Sequence, residues 1–222
     1  MSSYGALASE MLEMGIDVNC APVLDIMCKQ THDSLGDRTY SSQAEIVAQC
    51  GHYVCETFLE KGLTPVIKHM PGLGRANLDT HEALPSISTA RAELIDSDLK
   101  PFMKMAKSNY ASKLWGMTTH FLYTDIDPDL PASVSPVVIQ EIIRQTIEFN
   151  GFLISDDVDM KGMSLVCEDF QNVEKRALAA LNAGTDAVLY CSGHLKDMEK
   201  LGESLPRLTD QAMQRLSDSQ IR

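Results

Sequence analysis

Short apolar runs of strand length alternate along this chain with longer stretches whose apolar residues recur at helical spacing, and each run ends on a polar residue. Residues 6–14 carry a helical stripe (Ala6, Leu7, Ala8, Met11, Leu12) stopped by Gly15, and residues 16–25 then read as a strand ending at Asp25. A helix over 42–61 follows, with Ala44, Ile46, Val47, Cys50, Val54, Phe58 and Leu59 as its apolar face and Gly62 as its stop. The next strand, 64–69, ends at Lys68-His69. The pattern predicts a helix from Glu93 to about Ser108, then a strand over 114–119 that delivers His120. Ser135-Pro136 opens another helix, a polar cap followed by proline at the first helical position. Phe152-Leu153-Ile154 leads to Ser155-Asp156-Asp157, and after a helix over about 171–182 a last strand, 186–190, ends at Cys191-Ser192. Weaker helical stripes run from Leu195 to Leu205 and from Leu208 to Leu216.

Nearly continuous apolar strands separated by helices pair in parallel, with helices covering the faces, so the fold class is α/β. Five such strands are expected, and polar groups gathered at the carboxyl ends of parallel strands are where barrels and doubly wound sheets hold their chemistry. No linker or low-complexity segment divides the chain, so residues 1–222 are read as one domain. A formal net charge of −12 and a pI near 4.8 argue against nucleic acid or an anionic membrane as partner. No apolar run nears the roughly 20 residues that span a bilayer. Met1-Ser2-Ser3-Tyr4-Gly5 lacks the basic and apolar regions of a secretion signal. Cys20, Cys28, Cys50, Cys55, Cys167 and Cys191 form no Cys-x-x-Cys pair, which fits reduced thiols in a cytoplasmic protein better than disulfides or a metal site. No cofactor is expected.

Lys68-His69-Met70-Pro71-Gly72-Leu73-Gly74 continues to Asp79-Thr80-His81 and closes at Leu84-Pro85. Spacing of i to i+2 puts Asp79 and His81 on one side of an extended segment, where the carboxylate raises the imidazole pKa and orients it, as a general acid requires. Asp156 and Asp157 emerge at a strand end on opposite sides of the chain. Capping the following helix and catalysis are equally open roles for an aspartate here; the rim of polar strand ends favours a catalytic carboxylate. Lys68, His69 and Arg38 form the donor set for hydroxyl or anionic groups, although Arg38 taken singly reads as a solvated loop charge. His32, His52 and His194 are read as structural or exposed.

These two segments resemble glycoside hydrolase family 3, and more narrowly its bacterial β-N-acetylhexosaminidases of cell-wall recycling. Ala21-Pro22-Val23-Leu24-Asp25, Gly36-Asp37-Arg38 and Ala183-Gly184-x-Asp186 match in the same order, so the resemblance covers nearly the whole chain. It implies a (β/α)8 TIM-barrel type of fold and a retaining glycosidase releasing terminal β-linked N-acetylglucosamine from peptidoglycan fragments. Asp156 would be the nucleophile, His81 supported by Asp79 the acid/base, and Lys68, His69 and Arg38 the contacts to sugar hydroxyls. The loop departs from the family in reading Pro71-Gly72-Leu73-Gly74 where a histidine is usual at position 73.

The barrel expected from this chain is incomplete, with about five C-terminal β/α units present and about the first three strands missing. Such a sheet leaves two edges. The chain is therefore expected to be a fragment, or to have its open side covered by self-association or a partner chain. Three alternatives stand beside the hexosaminidase: a family 3 β-glucosidase, a non-catalytic remnant or subunit that needs a partner, and a metal-dependent hydrolase using His69, His81, His120 and Asp156.

Overall fold

A computed structural model of the chain describes residues 2–29, 31, 35–75, 85–160, 163 and 171–220. In chain order its strands are β1 (Val18–Asn19), β2 (Thr64–Met70), β3 (Ser86–Ile87), β4 (Trp115–Thr118), β5 (Leu122–Tyr123), β6 (Phe152–Asp157) and β7 (Ala187–Leu189). The helices are α1 (Ser3–Glu13), α2 (Ala44–Lys61), α3 (Arg91–Asp96), α4 (Lys100–Ala106), a π-helix (Val138–Thr146), α5 (Val173–Ala183), α6 (Leu195–Ser204) and α7 (Asp210–Ser219).

The five longer-range strands form one parallel sheet in the order β1-β2-β4-β6-β7. Sheet order follows chain order throughout, with no reversal. A doubly wound sheet turns back at a switch point, whereas a barrel winds on in one direction. The expected incomplete (β/α) barrel, five units forming a half-barrel, is thus the architecture observed. β3 and β5 make a separate two-residue parallel pair that the sequence pattern does not announce.

Alternation along the strands sorts side chains to two faces. Ile67, Leu114 and Leu153 pack outward against Val47 and Cys55 of α2, Phe102 and Met105 of α4, and Ile139, Ile142 and Ile143 of the π-helix. Val66, Met117, Phe152 and Ile154 point the other way, joined by Val18, Trp115, Ala187 and Leu189. That inner face carries Ala212 and Leu216 of α7. The Trp115 indole donates to Ser219 Oγ at 2.9 Å, and its ring lies 4.7 Å from that of Phe152.

Two elements are shorter than their apolar patterns. Only Val18–Asn19 of the 16–25 run is regular strand, because Pro22 has no N–H to give the ladder. The segment still follows β2 through Val66 N to Ala21 O (3.1 Å), Lys68 N to Pro22 O (3.2 Å) and Leu24 N to Lys68 O (2.7 Å). The helix expected over 93–108 is two helices. Pro101 is tolerated in the first turn of α4 but not inside a continuous helix, and Asp98 at the break is buried. α2 ends as the sequence predicts, at Gly62 with φ +95°. No helix of the described residues is long and apolar enough to cross a membrane.

At the amino end of the sheet, Asp186 ties β6, β7, the π-helix and α7 together. Its Oδ2 accepts from Arg144 Nη2 (3.0 Å) and Leu153 N (2.8 Å), and its Oδ1 accepts from Arg215 Nη1 (2.7 Å). Arg144 also donates to the Phe149 and Gly151 carbonyls. Burial, then the charge of Arg215, pulls the Arg144 guanidinium down to about 10, with Asp186 opposing. Removing the carboxylate strands two cations against apolar surroundings. Asp186→Ala is therefore expected to destabilise the fold by about 3–5 kcal/mol in urea unfolding, while breaking the exposed Arg91–Glu141 pair changes it by less than about 1 kcal/mol.

Candidate active site

The two aspartates at the end of β6 have different surroundings. Asp157 Oδ1 accepts from the backbone N–H groups of Asp159 and Cys191, each at 3.1 Å. Asp157 thus takes the turn-capping duty and pins the chain after β7 to the end of β6. Asp156 Oδ1 accepts from Asp157 N at 2.8 Å. It stands two residues past Ile154, so strand alternation turns it to the inner face with Val66, Met117 and Ile154. Lys68, two residues past Val66 and opposite Met117 in the ladder, shares that face. The Cys20 thiol connects them: burial pushes its pKa up, the Lys68 ammonium opposes this, and the Asp156 carboxylate adds to it. Lys68 and Asp156 thus act on one point of the rim with opposite sign.

His69 follows Lys68 and is 5% exposed. Its Nδ1 lies 2.7 Å from Asp25 Oδ2, and its backbone N–H reaches both Asp25 oxygens at 3.3 Å. Leu73 N donates to Asp25 Oδ1 at 2.7 Å. One carboxylate with no exposed surface thus holds a side chain, a strand end and the turn beyond it. The Lys68–His69 and Met70–Pro71 peptides are cis. The glycines of this turn have distinct steric reasons. Gly72 has φ +128°, which side-chain-bearing residues rarely adopt. Gly74 passes so close to the Ile26 backbone that a Cβ would come within 1.8 Å of the Ile26 carbonyl oxygen.

His120, delivered by β4, is buried between its neighbours. Its Nε2 donates to the Asp157 carbonyl at 2.9 Å, and Ser133 Oγ lies 2.6 Å from Nδ1. The carbonyl can only accept, so the proton sits on Nε2 and Nδ1 accepts from the serine hydroxyl. Burial lowers the His120 pKa from 6.5, with Asp156 foremost among the groups opposing. The imidazole is neutral near pH 7 and braces the Asp157–Val158 peptide, one residue beyond Asp156.

Asp79 and His81 lie outside the described residues. The segments flanking them are held on both sides. Arg75 donates through Nε to Asp98 Oδ2 (2.7 Å), through Nη1 to Glu93 (2.6 Å) and through Nη2 to Ser97 Oγ (3.0 Å). Tyr123 OH donates to Gly72 O at 2.7 Å, and Leu122 N to Pro85 O at 3.0 Å, just before the β3–β5 pair. Arg38 ends the 3-10 turn Gly36–Arg38 and is exposed. Of the six residues picked out by sequence, the described structure brings Asp156, Lys68 and His69 to one rim. Asp25 and His120, marked in the sequence as polar strand ends, acquire definite contacts here. Among the described residues, no three His, Cys, Asp or Glu side chains group to hold a metal ion.

Residues 4–222 match the family described as the glycosyl hydrolase family 3 N-terminal domain. A β-hexosaminidase of Idiomarina loihiensis is 34% identical over 212 residues, covering 95% of this chain and 61% of the relative. One from Pasteurella multocida is 32% identical over 219 residues, with 95% and 59% covered. The chain thus spans about three fifths of the length of these curated relatives. Among solved structures, NagZ from Neisseria gonorrhoeae in complex with N-trifluoroacetyl-D-glucosamine superposes with a TM-score of 0.83 at 26% identity, over 98% of this chain and 60% of that one. A family 3 β-N-acetylglucosaminidase from Paenibacillus gives a TM-score of 0.82 at 29% identity, over 97% and 41%.

His120 has a measurable signature. Its folded-state pKa lies below the unfolded value, so the unfolded chain binds a proton first as pH falls, and stability is lost as pH drops below about 6.5. His120→Gln is expected to cost about 1–3 kcal/mol near pH 7.5 through its lost hydrogen bonds. The same change should flatten the fall in stability between about pH 6.5 and 5 in denaturant titrations.

Proposed function

The chain belongs to glycosyl hydrolase family 3, and from that membership we propose that it is the catalytic barrel segment of a retaining β-N-acetylglucosaminidase. Asp156 attacks the anomeric carbon of a terminal β-linked N-acetylglucosamine. His81, paired with Asp79, gives its proton to the departing glycosidic oxygen. Water then displaces Asp156 from the sugar, with the same histidine taking the water's proton. Lys68, His69 and Arg38 bind the sugar hydroxyls. The substrate class is peptidoglycan-derived amino sugar, met in the cytoplasm, and residues 1–222 act as one partial barrel. The edge strands β1 and β7 are covered by self-association or by a partner chain.

The observation that carries this reading is the division of labour at the end of β6. Asp157 spends its carboxylate on two backbone N–H groups, whereas Asp156 stands on the inner face that also carries Lys68. A carboxylate that caps its own turn has little left for a ligand; one turned to the inner side of the rim keeps access to it. The names of the relatives, β-hexosaminidase and β-N-acetylglucosaminidase, support the sugar class.

The test is release of the chromophore from an aryl β-N-acetylglucosaminide, compared with the matching aryl β-glucoside. Preference for the N-acetylated substrate is expected. Asp156→Asn should lower kcat by about 10³-fold or more, and His81→Ala by about 10²–10⁴-fold. Turnover indifferent to Asp156→Asn overturns the mechanism, and preference for the glucoside makes the chain a β-glucosidase. A cooperatively folded chain that cleaves neither is a non-catalytic subunit.

A further inference from the structure

Asp25 is the most heavily engaged carboxylate at the rim, and no step of the proposed reaction uses it. Its side chain has no exposed surface and that of His69 is 7% exposed, so the pair meets away from bulk water. Oδ1 accepts from Leu73 N at 2.7 Å and from His69 N at 3.3 Å; Oδ2 accepts from His69 N at 3.3 Å and lies 2.7 Å from His69 Nδ1. With two backbone N–H groups converging on it, the group is an acceptor at both oxygens. The short contact to Nδ1 then requires the proton on Nδ1. A neutral imidazole with Nδ1 protonated carries a lone pair on Nε2.

We propose that Asp25 is a positioning residue that locks His69 with its proton on Nδ1, so that Nε2 accepts a hydrogen bond from a substrate hydroxyl while the adjacent Lys68 ammonium donates to one. This rests on the glycosidase reading above and deepens it. A lysine alone satisfies any acceptor, including a carbonyl, ether or fluorine. A lysine beside an acceptor-only histidine suits a group that both donates and accepts, as a sugar hydroxyl does and a lone carbonyl, ether or fluorine does not. A carboxylate that fixes the tautomer of a histidine through its far nitrogen is the same arrangement by which second partners orient metal-ligating or catalytic histidines. Its further bond to Leu73 N makes tautomer and turn geometry depend on one group. Movement of the turn between Met70 and Gly74 is thereby coupled to the hydrogen-bonding sense of the sugar site.

Protein labelled with ¹⁵N at histidine, observed through two-bond ¹⁵N–¹H correlations near pH 7.5 and assigned by loss of signals in His69→Gln, reads the tautomer directly. His69 is expected to show a protonated Nδ1 and a lone-pair Nε2, with the Nε2 resonance moving when N-acetylglucosamine is added. In Asp25→Asn, which keeps shape but turns one oxygen into a donor, the Nε2-protonated form should appear. The dissociation constant for N-acetylglucosamine should then rise about tenfold. A purely structural Asp25 would lower the melting temperature and leave the tautomer unchanged, and that result overturns the proposal, as does an Nε2-protonated His69 in the unsubstituted chain. If Asp25→Asn does not fold, the tautomer of the unsubstituted chain decides. A protonated Nδ1 together with an Nε2 signal that ignores N-acetylglucosamine overturns the assignment of a sugar hydroxyl to His69 while leaving the lock itself in place. Chromophore release, measured separately, tells whether the glycosidase reading fails with it.

Discussion

Polar groups at the carboxyl ends of the strands hold one another, and the arrangement of the rim depends on that mutual restraint. Asp25, at the end of the segment following β1, grips His69 at the end of β2. His120, beyond β4, donates to the carbonyl of Asp157 at the end of β6, and Asp157 in turn accepts from Cys191 beyond β7. Each bond crosses between neighbouring segments of the sheet. The buried ones, at Asp25–His69 and at His120, are costly to break, because the group left behind has no water to turn to. Strand ends that would otherwise fray are thus set relative to one another, and the inner-face carboxylate Asp156 inherits its position from groups that do not face the site.

The opposite end of the sheet works by charge. Asp186 between Arg144 and Arg215 joins β7, the π-helix and α7 below the strands, where the demand is stability rather than reaction. The separation follows the usual logic of barrels, in which loops at the carboxyl ends of strands vary with chemistry while the amino ends hold the fold. At both ends a buried carboxylate, Asp25 or Asp186, accepts hydrogen bonds at both of its oxygens, which makes its charge tolerable. A half-satisfied cluster in either place would weaken the structure.

Much of this was legible in the sequence, for identifiable reasons. Continuous apolar strands and their polar last residues foretold the parallel sheet and its rim, because a strand covered on both faces leaves no room for polar residues except at its ends. Gly62 and Ser135 marked a helix end and a helix start through backbone rules that hold locally. The Asp156–Asp157 choice came from the family resemblance and not from the residues themselves, since the capping contacts of Asp157 depend on the N–H groups of Asp159 and Cys191, the latter far along the chain. The role of Asp25 was hidden for the same reason: its partners, His69 and Leu73, come from a different strand and turn. The split between α3 and α4 was written in Pro101, but the apolar periodicity on either side masked it.

The chain has one tryptophan, and its position gives the molecule an internal optical reporter. Trp115 starts β4 on the inner face, lies tilted against Phe152 and hydrogen-bonds Ser219 at the last turn of α7. Its emission therefore senses whether that helix is seated on the sheet. Detachment of α7 would expose the indole to water and shift the spectrum to the red before the helical signal of the remaining segments is lost, so fluorescence and circular dichroism report on separate layers of one fold.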